Sequence, residues 1–322
     1  MPGILVYIEA DPGGVAPVSF EVLGAARTLA PHLGGPVEAL VAAADPDTLA
    51  AALGAADSVL TVTDPSLTPY LPEAHRAALE EAIRVRQPSV VLIGGTSAGI
   101  DLAAGAATAT SRPLVAYCTA LRVAGQEMEA ESQLYGGKLV ATTRTAPPAI
   151  FSLVAGCFPE APGHAPGTAP RIALPPPAAL QRLRTRLVGT GAAAAGTVDI
   201  TKAERIVSVG RGIGAPGDID LARDLATALG AELGASRPVV DSGWLPKERQ
   251  VGKSGMTVKP RLYVAVGISG APEHLEGMRG AGVIVAINTD PGAPIFQVAT
   301  YGSTCDFGDL LPALSARLTA AG

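Results

Sequence analysis

The run Ser89-Val90-Val91-Leu92-Ile93 constrains the fold more than any other segment. A strand with one face in water alternates apolar and polar residues. A strand that stays apolar throughout is covered on both faces, the signature of a parallel sheet between helices. Similar runs precede it at Ile4–Ile8, Val37–Ala43 and Ser58–Val62. Between them, Phe20–Leu33, Asp47–Leu53 and Pro72–Val85 have helical spacing, the first ending at Gly34-Gly35. This β-α-β-α rhythm predicts a mostly parallel sheet flanked by helices. Aromatic residues are only 4% of the chain while 48% is hydrophobic, so the cores must be built from Ala, Val, Leu and Ile.

After Pro113 the pattern changes. Val115–Val123, Glu127–Tyr135, Lys138–Thr145 and Ala149–Val154 read as strands, the first three separated by glycine turns. They form a β-rich extension of the first domain, expected to pack on a partner. From Pro159 to Pro177 prolines recur, each fixing φ and removing a donor, which argues against regular elements there. A last strand is expected near Leu187 or Val198. The second half restarts the rhythm: strands at Arg205–Val209, Leu262–Val266 and Val283–Ile287, helices at Asp218–Leu229, Glu273–Met278 and Asp309–Leu318, with Asp218 as expected N-cap. A length of 322 residues suits two domains. The expected division is 1–200 and 201–322, two α/β domains with mostly parallel sheets.

A formal net charge of −5 gives no electrostatic case for nucleic acid. Cys118, Cys157 and Cys305 are far apart, with no CxxC or Cys/His cluster, so no metal site is expected. Sparse cysteines suit the reducing cytoplasm. The N-terminal MPGILVYIEADPGG reads as a strand rather than a signal peptide. No uninterrupted apolar window reaches the ~18 residues of a membrane span.

The chemistry concentrates in the second half. Gly210-Arg211-Gly212 follows a strand and precedes a helix, an arrangement that lets backbone approach a phosphate. Its glycine spacing does not complete the dinucleotide fingerprint, and an ordinary strand-to-helix turn reads equally well. Gly267-Ile268-Ser269-Gly270 repeats the idea after Val266, and Asn288 and Asp290 end the next strand in the same way. Three polar strand ends in one sheet point to one extended, dinucleotide-shaped ligand, so the second domain reads as a dinucleotide-binding domain. The segment Ser236–Gly255 reads as a long polar loop holding the only tryptophan, Trp244, a functional rather than a structural design.

The segments SRPVVDSGWLPKERQVGKSG, LYVAVGISGAPEHLEGM and VIVAINTDPGAPIFQVATYG, with Asp306, resemble the flavin-binding half of electron-transfer flavoprotein alpha subunits. The likeness is nearly unbroken from Gly210 to Pro312. The first half is similar more loosely, through ILVYIEA and GTSAGIDLA. The resemblance implies FAD and places Arg237 over its ring, where a fixed positive charge favours the reduced flavin. It places His274 near the pyrimidine carbonyl and Ser254, in place of the family's threonine, at the N5 edge. Ser236 and Ser269 correspond to pyrophosphate contacts, Arg211 to an arginine near the other end, and Asn288 and Asp306 to the adenosine side. Gln250, Val251, Gly252, Lys253, Gly270, Glu273 and Phe307 complete the implied cofactor-binding set. Lys253 and Glu273 both stand where glutamine is usual, and Ile100 where arginine is frequent.

The resemblance further implies a heterodimer with a beta subunit that carries AMP or a second FAD. It implies an electron carrier rather than an enzyme, serving flavin dehydrogenases such as the acyl-CoA dehydrogenases of fatty acid oxidation, with a membrane quinone oxidoreductase as acceptor. Two rival readings fit the glycine-rich strand ends: an NAD-dependent enzyme of the deoxyhypusine synthase or sirtuin type, and a non-redox nucleotide-binding subunit.

Overall fold

Every residue of Ile4–Tyr7 (β1) is buried, and successive side chains enter opposite cores: Ile4 and Val6 one, Leu5 and Tyr7 the other. The computed structural model describes residues 3–135, 139–189 and 199–321. The chain divides into two units, residues 1–190 and 191–322.

In the first unit a small hairpin, Ala10–Asp11 (β2) with Gly14–Val15 (β3), precedes the helix Pro17–Leu33 (α1). Then follow Val37–Ala43 (β4), Asp47–Ala51 (α2), Ser58–Thr63 (β5), Pro72–Arg86 (α3), Val90–Gly94 (β6) and Ser97–Thr110 (α4). Leu114–Ala124 (β7), Glu127–Leu134 (β8), Leu139–Thr145 (β9), Ala149–Leu153 (β10) and Arg171–Leu174 (β11) complete it. The nine-stranded sheet runs β11-β5-β4-β1-β6-β10-β7-β8-β9. It is parallel from β11 through β7, and β8 and β9 add to its edge as an antiparallel meander. The β-rich extension is thus a continuation of the same sheet.

Three local expectations differ. Helix α4 was not evident because SAGIDLAAGAATAT has little polar contrast. Thr96 caps it, its Oγ accepting from Gly99 N at 2.9 Å, and a Cβ at Gly99 would collide with the Gly94 carbonyl. The proline-rich segment contains β11 after all. Proline cannot donate to a ladder, but Pro170 sits just before the strand and β11 lies at the sheet edge, where a missing donor costs little. Leu187, by contrast, is exposed and outside any strand, and Val198 lies outside the described residues.

The second unit contains Arg205–Val209 (β12), Ile219–Leu229 (α5), Glu232–Ala235 (β13), Arg237–Asp241 (α6), Leu262–Val266 (β14), Pro272–Glu276 (α7), Val283–Ile287 (β15), Tyr301–Ser303 (β16) and Phe307–Ala321 (α8). Its sheet runs β13-β12-β14-β15-β16 and is parallel throughout. Val207, Val209, Val264 and Val266 pack with Ile219, Ala222 and Leu225 of α5 on one face. Ile206, Tyr263, Ala265 and Ile284 pack with Leu275 and Met278 on the other. Each large side chain so buried contributes about 1.5–3 kcal/mol relative to exposure. Gly230, at φ 58, ends α5 in the left-handed conformation. Asp218 does not cap α5: its backbone is already helical, and its carboxylate instead accepts from Ala215 N at 3.2 Å.

Candidate cofactor-binding site

From β12 the chain moves to β13 on one side and later to β14 on the other, so the carboxyl ends of β12 and β14 flank a topological switch point. Loops diverge there and leave a crevice. The turns that begin the crevice are in backbone contact. Gly210 N donates to the Val266 carbonyl at 2.8 Å, and Gly212 N to the Gly267 carbonyl at 3.0 Å. Gly267 has φ +63, and a Cβ there would sit 2.8 Å from Gly212 C. A Cβ is excluded at Gly210, Gly212 and Gly267 by this packing.

A cavity of about 740 Å³ opens at these strand ends. That is the size of a small-molecule or cofactor site. It brings together eleven of the fifteen residues expected from sequence: Arg211, Ser236, Arg237, Val251, Gly252, Lys253, Ser254, Ser269, Glu273, His274 and Asn288.

Ser236 follows β13 and its carbonyl accepts from Val239 N at 3.0 Å, opening α6. The expected polar loop therefore begins with a short helix. Arg237 is its first residue, and its Nε pairs with Asp241 Oδ2 at 3.2 Å, one turn on. Both side chains are more than half exposed, so this pair constrains the guanidinium only weakly.

Residues 250–256 form a tight arc. Val251 N donates to the Ala235 carbonyl at 2.8 Å, and Met256 N to the Gln250 carbonyl at 2.7 Å. Gly252 has φ +137, a conformation that disfavours any side chain. Lys253 N donates to the Glu273 carbonyl at 2.7 Å, and Lys253 Nζ lies 3.6 Å from Glu276. The arc is thereby fastened to α7. Gln250 is buried and does not line the cavity. Its Nε2 donates to Ser254 Oγ at 3.0 Å, which leaves the serine proton free for another acceptor.

His274 is buried on α7, with Nε2 3.0 Å from the Tyr263 hydroxyl. Its Nδ1 makes no formed hydrogen bond among the described residues. Burial lowers its pKa to about 4, the Val251 backbone opposing the shift. The unfolded chain, near 6.5, binds the proton more readily. This contribution to stability is therefore complete above about pH 6.5 and declines as pH falls toward 4, by about 3 kcal/mol in all. Urea unfolding at pH 7 and pH 4.5 is expected to show this loss in the wild type and much less of it in His274→Asn. Equal acid sensitivity of the two proteins would assign the effect elsewhere.

Asn288 ties two strand ends together: Nδ2 donates to the Ile268 carbonyl at 2.9 Å, and Oδ1 accepts from Asp290 N at 3.0 Å. Ser269 is held beside it, its carbonyl accepting from Ile295 N at 3.0 Å.

Three further expected residues stand outside the cavity wall. Gly270, at φ +86, lets Pro294 and Ile295 approach closely. Asp306 Oδ1 accepts from Gly308 N at 2.8 Å at the start of α8. Phe307 packs on the core formed by β12, β14 and α5. The wall also contains Pro238, Ala271, Ala293 and Pro294, whose small or inert side chains carry no chemical signal in a sequence.

Residues 199–279 match the model described as the electron transfer flavoprotein FAD-binding domain, and residues 4–179 match the electron transfer flavoprotein domain. The chain belongs to the electron-transfer flavoprotein alpha family. It is 38% identical to Protein FixB of Azorhizobium caulinodans, across 97% of this chain and 87% of the relative. It is 35% identical to the electron transfer flavoprotein subunit alpha of Thermoanaerobacterium thermosaccharolyticum, across 97% and 96%. It is 33% identical to the lactate dehydrogenase (NAD(+),ferredoxin) subunit LctC of Acetobacterium woodii, across 97% and 76%.

The second unit of this electron-transfer flavoprotein alpha chain thus contains its FAD-binding domain, and the chain has the role of an alpha subunit that works with a beta subunit. The NAD-dependent and non-redox readings find no support in these relatives. No helix among the described residues is long and apolar enough to cross a membrane.

Proposed function

We propose that the cavity at the ends of β12, β14 and β15 is where this alpha subunit holds FAD, and that the chain is an electron carrier rather than an enzyme. The observation that carries the reading is the cavity itself. It lies at a switch point, is floored by glycine turns, and is walled by the charged and hydroxyl groups that a flavin dinucleotide requires. The fit is supported by the close Gly210–Gly267 approach, which sets the two turns side by side with backbone rather than side chains between them, and by the buried Nδ1 of His274, which forms no hydrogen bond among the described residues.

FAD, when bound, supplies the ability to take up and release electrons. The chain supplies binding, orientation and electrostatics. Ser236 and Ser269 would hold the pyrophosphate, and Asn288 and Asp306 the adenosine side. Arg211 would lie toward that end. Arg237, Ser254 and His274 would face the ring, with Gln250 setting Ser254 from behind. Lys253 and Glu273, fastened to each other through backbone, bring one charge of each sign to the same end.

The beta subunit in this reading carries AMP or a second FAD. Electrons arrive from flavin dehydrogenases, such as those that oxidise acyl-CoA, and leave toward a membrane quinone oxidoreductase, with the complex in the cytoplasm. The relative named as a subunit of an NAD- and ferredoxin-linked lactate dehydrogenase motivates a second reading, in which the complex splits electrons between two acceptors.

Denaturing the complex purified with its beta subunit is expected to release FAD into solution. Finding only AMP, or no flavin, would remove the assignment. Two flavins per heterodimer together with reduction by NADH would favour the electron-splitting reading; one flavin and no reaction with NADH would favour the simple carrier.

A further inference from the structure

Behind His274 in the cavity wall lies a buried phenol that the proposed cofactor contacts do not include. Tyr263, the second residue of β14, is fully buried in the apolar cluster under α7. Its hydroxyl is 3.0 Å from His274 Nε2, and the two rings are tilted with centroids 6.1 Å apart. A buried phenol must place its proton on an acceptor or lose about 1–3 kcal/mol. Ser208 Oγ, also buried, lies near enough to favour the phenolate and so acts toward Tyr263 as a donor rather than an acceptor; it makes no formed hydrogen bond, and Nε2 is the one formed acceptor for the phenol proton among the described residues. An imidazole that is neutral and accepts at Nε2 carries its own proton on Nδ1. Nδ1 is the remaining polar atom of a ring that forms part of the cavity wall; the Val251 backbone lies close to the imidazole, but no formed hydrogen bond among the described residues satisfies Nδ1.

We propose that Tyr263 is a positioning residue: by donating to Nε2 it fixes His274 as the neutral Nδ1–H tautomer, and so holds a hydrogen-bond donor for an acceptor oxygen of the ligand. This rests on the reading of the cavity as the FAD site. The phenol never touches the ligand. It decides which nitrogen of the imidazole has a proton to give.

The test is nitrogen NMR of the full-length chain in complex with its beta subunit, labelled with ¹⁵N-histidine and freed of flavin, at pH 7. The chain has 4 histidines, and the His274 signals are assigned by their loss in His274→Asn. In the wild type Nδ1 is expected to be protonated and Nε2 bare. In Tyr263→Phe the Nε2–H tautomer is expected to become populated, and the FAD dissociation constant to rise about tenfold, the value of one ordinary hydrogen bond. A protonated Nε2 in the wild type overturns the proposal without recourse to any variant. So does a Tyr263→Phe protein whose tautomer or FAD affinity is unchanged. Because the tautomer is read on flavin-free protein, its failure is distinct from failure of the FAD assignment. A wild-type complex that takes up no FAD overturns that assignment, and the ligand half of this proposal with it.

Discussion

Gly210→Ala is expected to yield a folded protein that no longer retains FAD. The added Cβ would overlap the Gly267 carbonyl, an atom that already accepts from Gly212 N at 3.0 Å. Neither turn can yield easily, because each continues a central strand of the sheet. A Cβ at Gly212 would meet the same carbonyl oxygen at 2.7 Å. Gly267→Ala should act alike, with a further about 1–2 kcal/mol for placing a side chain in the left-handed region. Gly217→Ala is the control, since a Cβ there meets nothing within 4 Å. The measurement is flavin absorbance per mole of purified complex, with circular dichroism to show that the fold persists. Full flavin content in Gly210→Ala would mean that the strand-end turns do not shape the site.

Arg237→Ala is expected to lower the reduction potential of the bound flavin while FAD stays in place. A guanidinium facing the ring favours the form that has gained electrons, and alanine removes that charge. Arg237 is well exposed and paired with Asp241, so the solvent-screened value, about 1 kcal/mol for adjacent charges in water, is the appropriate scale. This corresponds to about 40 mV for one electron. Arg237→Lys should fall between, keeping the charge without the planar fork. Removal of its partner in Asp241→Asn should shift the potential the other way. A potential unmoved in Arg237→Ala, with flavin still bound, would place the arginine away from the ring.

The parallel cores were legible because strands such as Val90–Gly94 and Val283–Ile287 are short, apolar and bounded by turn residues. Elements without that contrast were not. Glu232–Ala235 holds a glutamate and a glycine in four residues, and its strand character comes from pairing with β12 rather than from its own side chains. Helix α4 is too uniformly small to show a face, and β11 was obscured by the prolines around it. The same physics governs the site. Gly210, Gly267 and Asn288 stood out because strand ends demand special backbone or polar partners. Ala293 and Pro294 gave no signal, since they contribute only shape. Tyr263 read as one more apolar strand residue; its polar end acquires meaning only when α7 folds back and sets His274 against it.

The backbone bond from Lys253 N to the Glu273 carbonyl has a mechanical consequence. Ser254 and His274 are separated by twenty positions in the chain, yet each neighbours one end of this clamp. With the Gly252 backbone pressed against the same helix, arc and helix travel as one jaw. A change that loosens the clamp would therefore be felt at both residues together. Two substitutions, one on each side of it, should not act additively on flavin affinity, even when their side chains never meet.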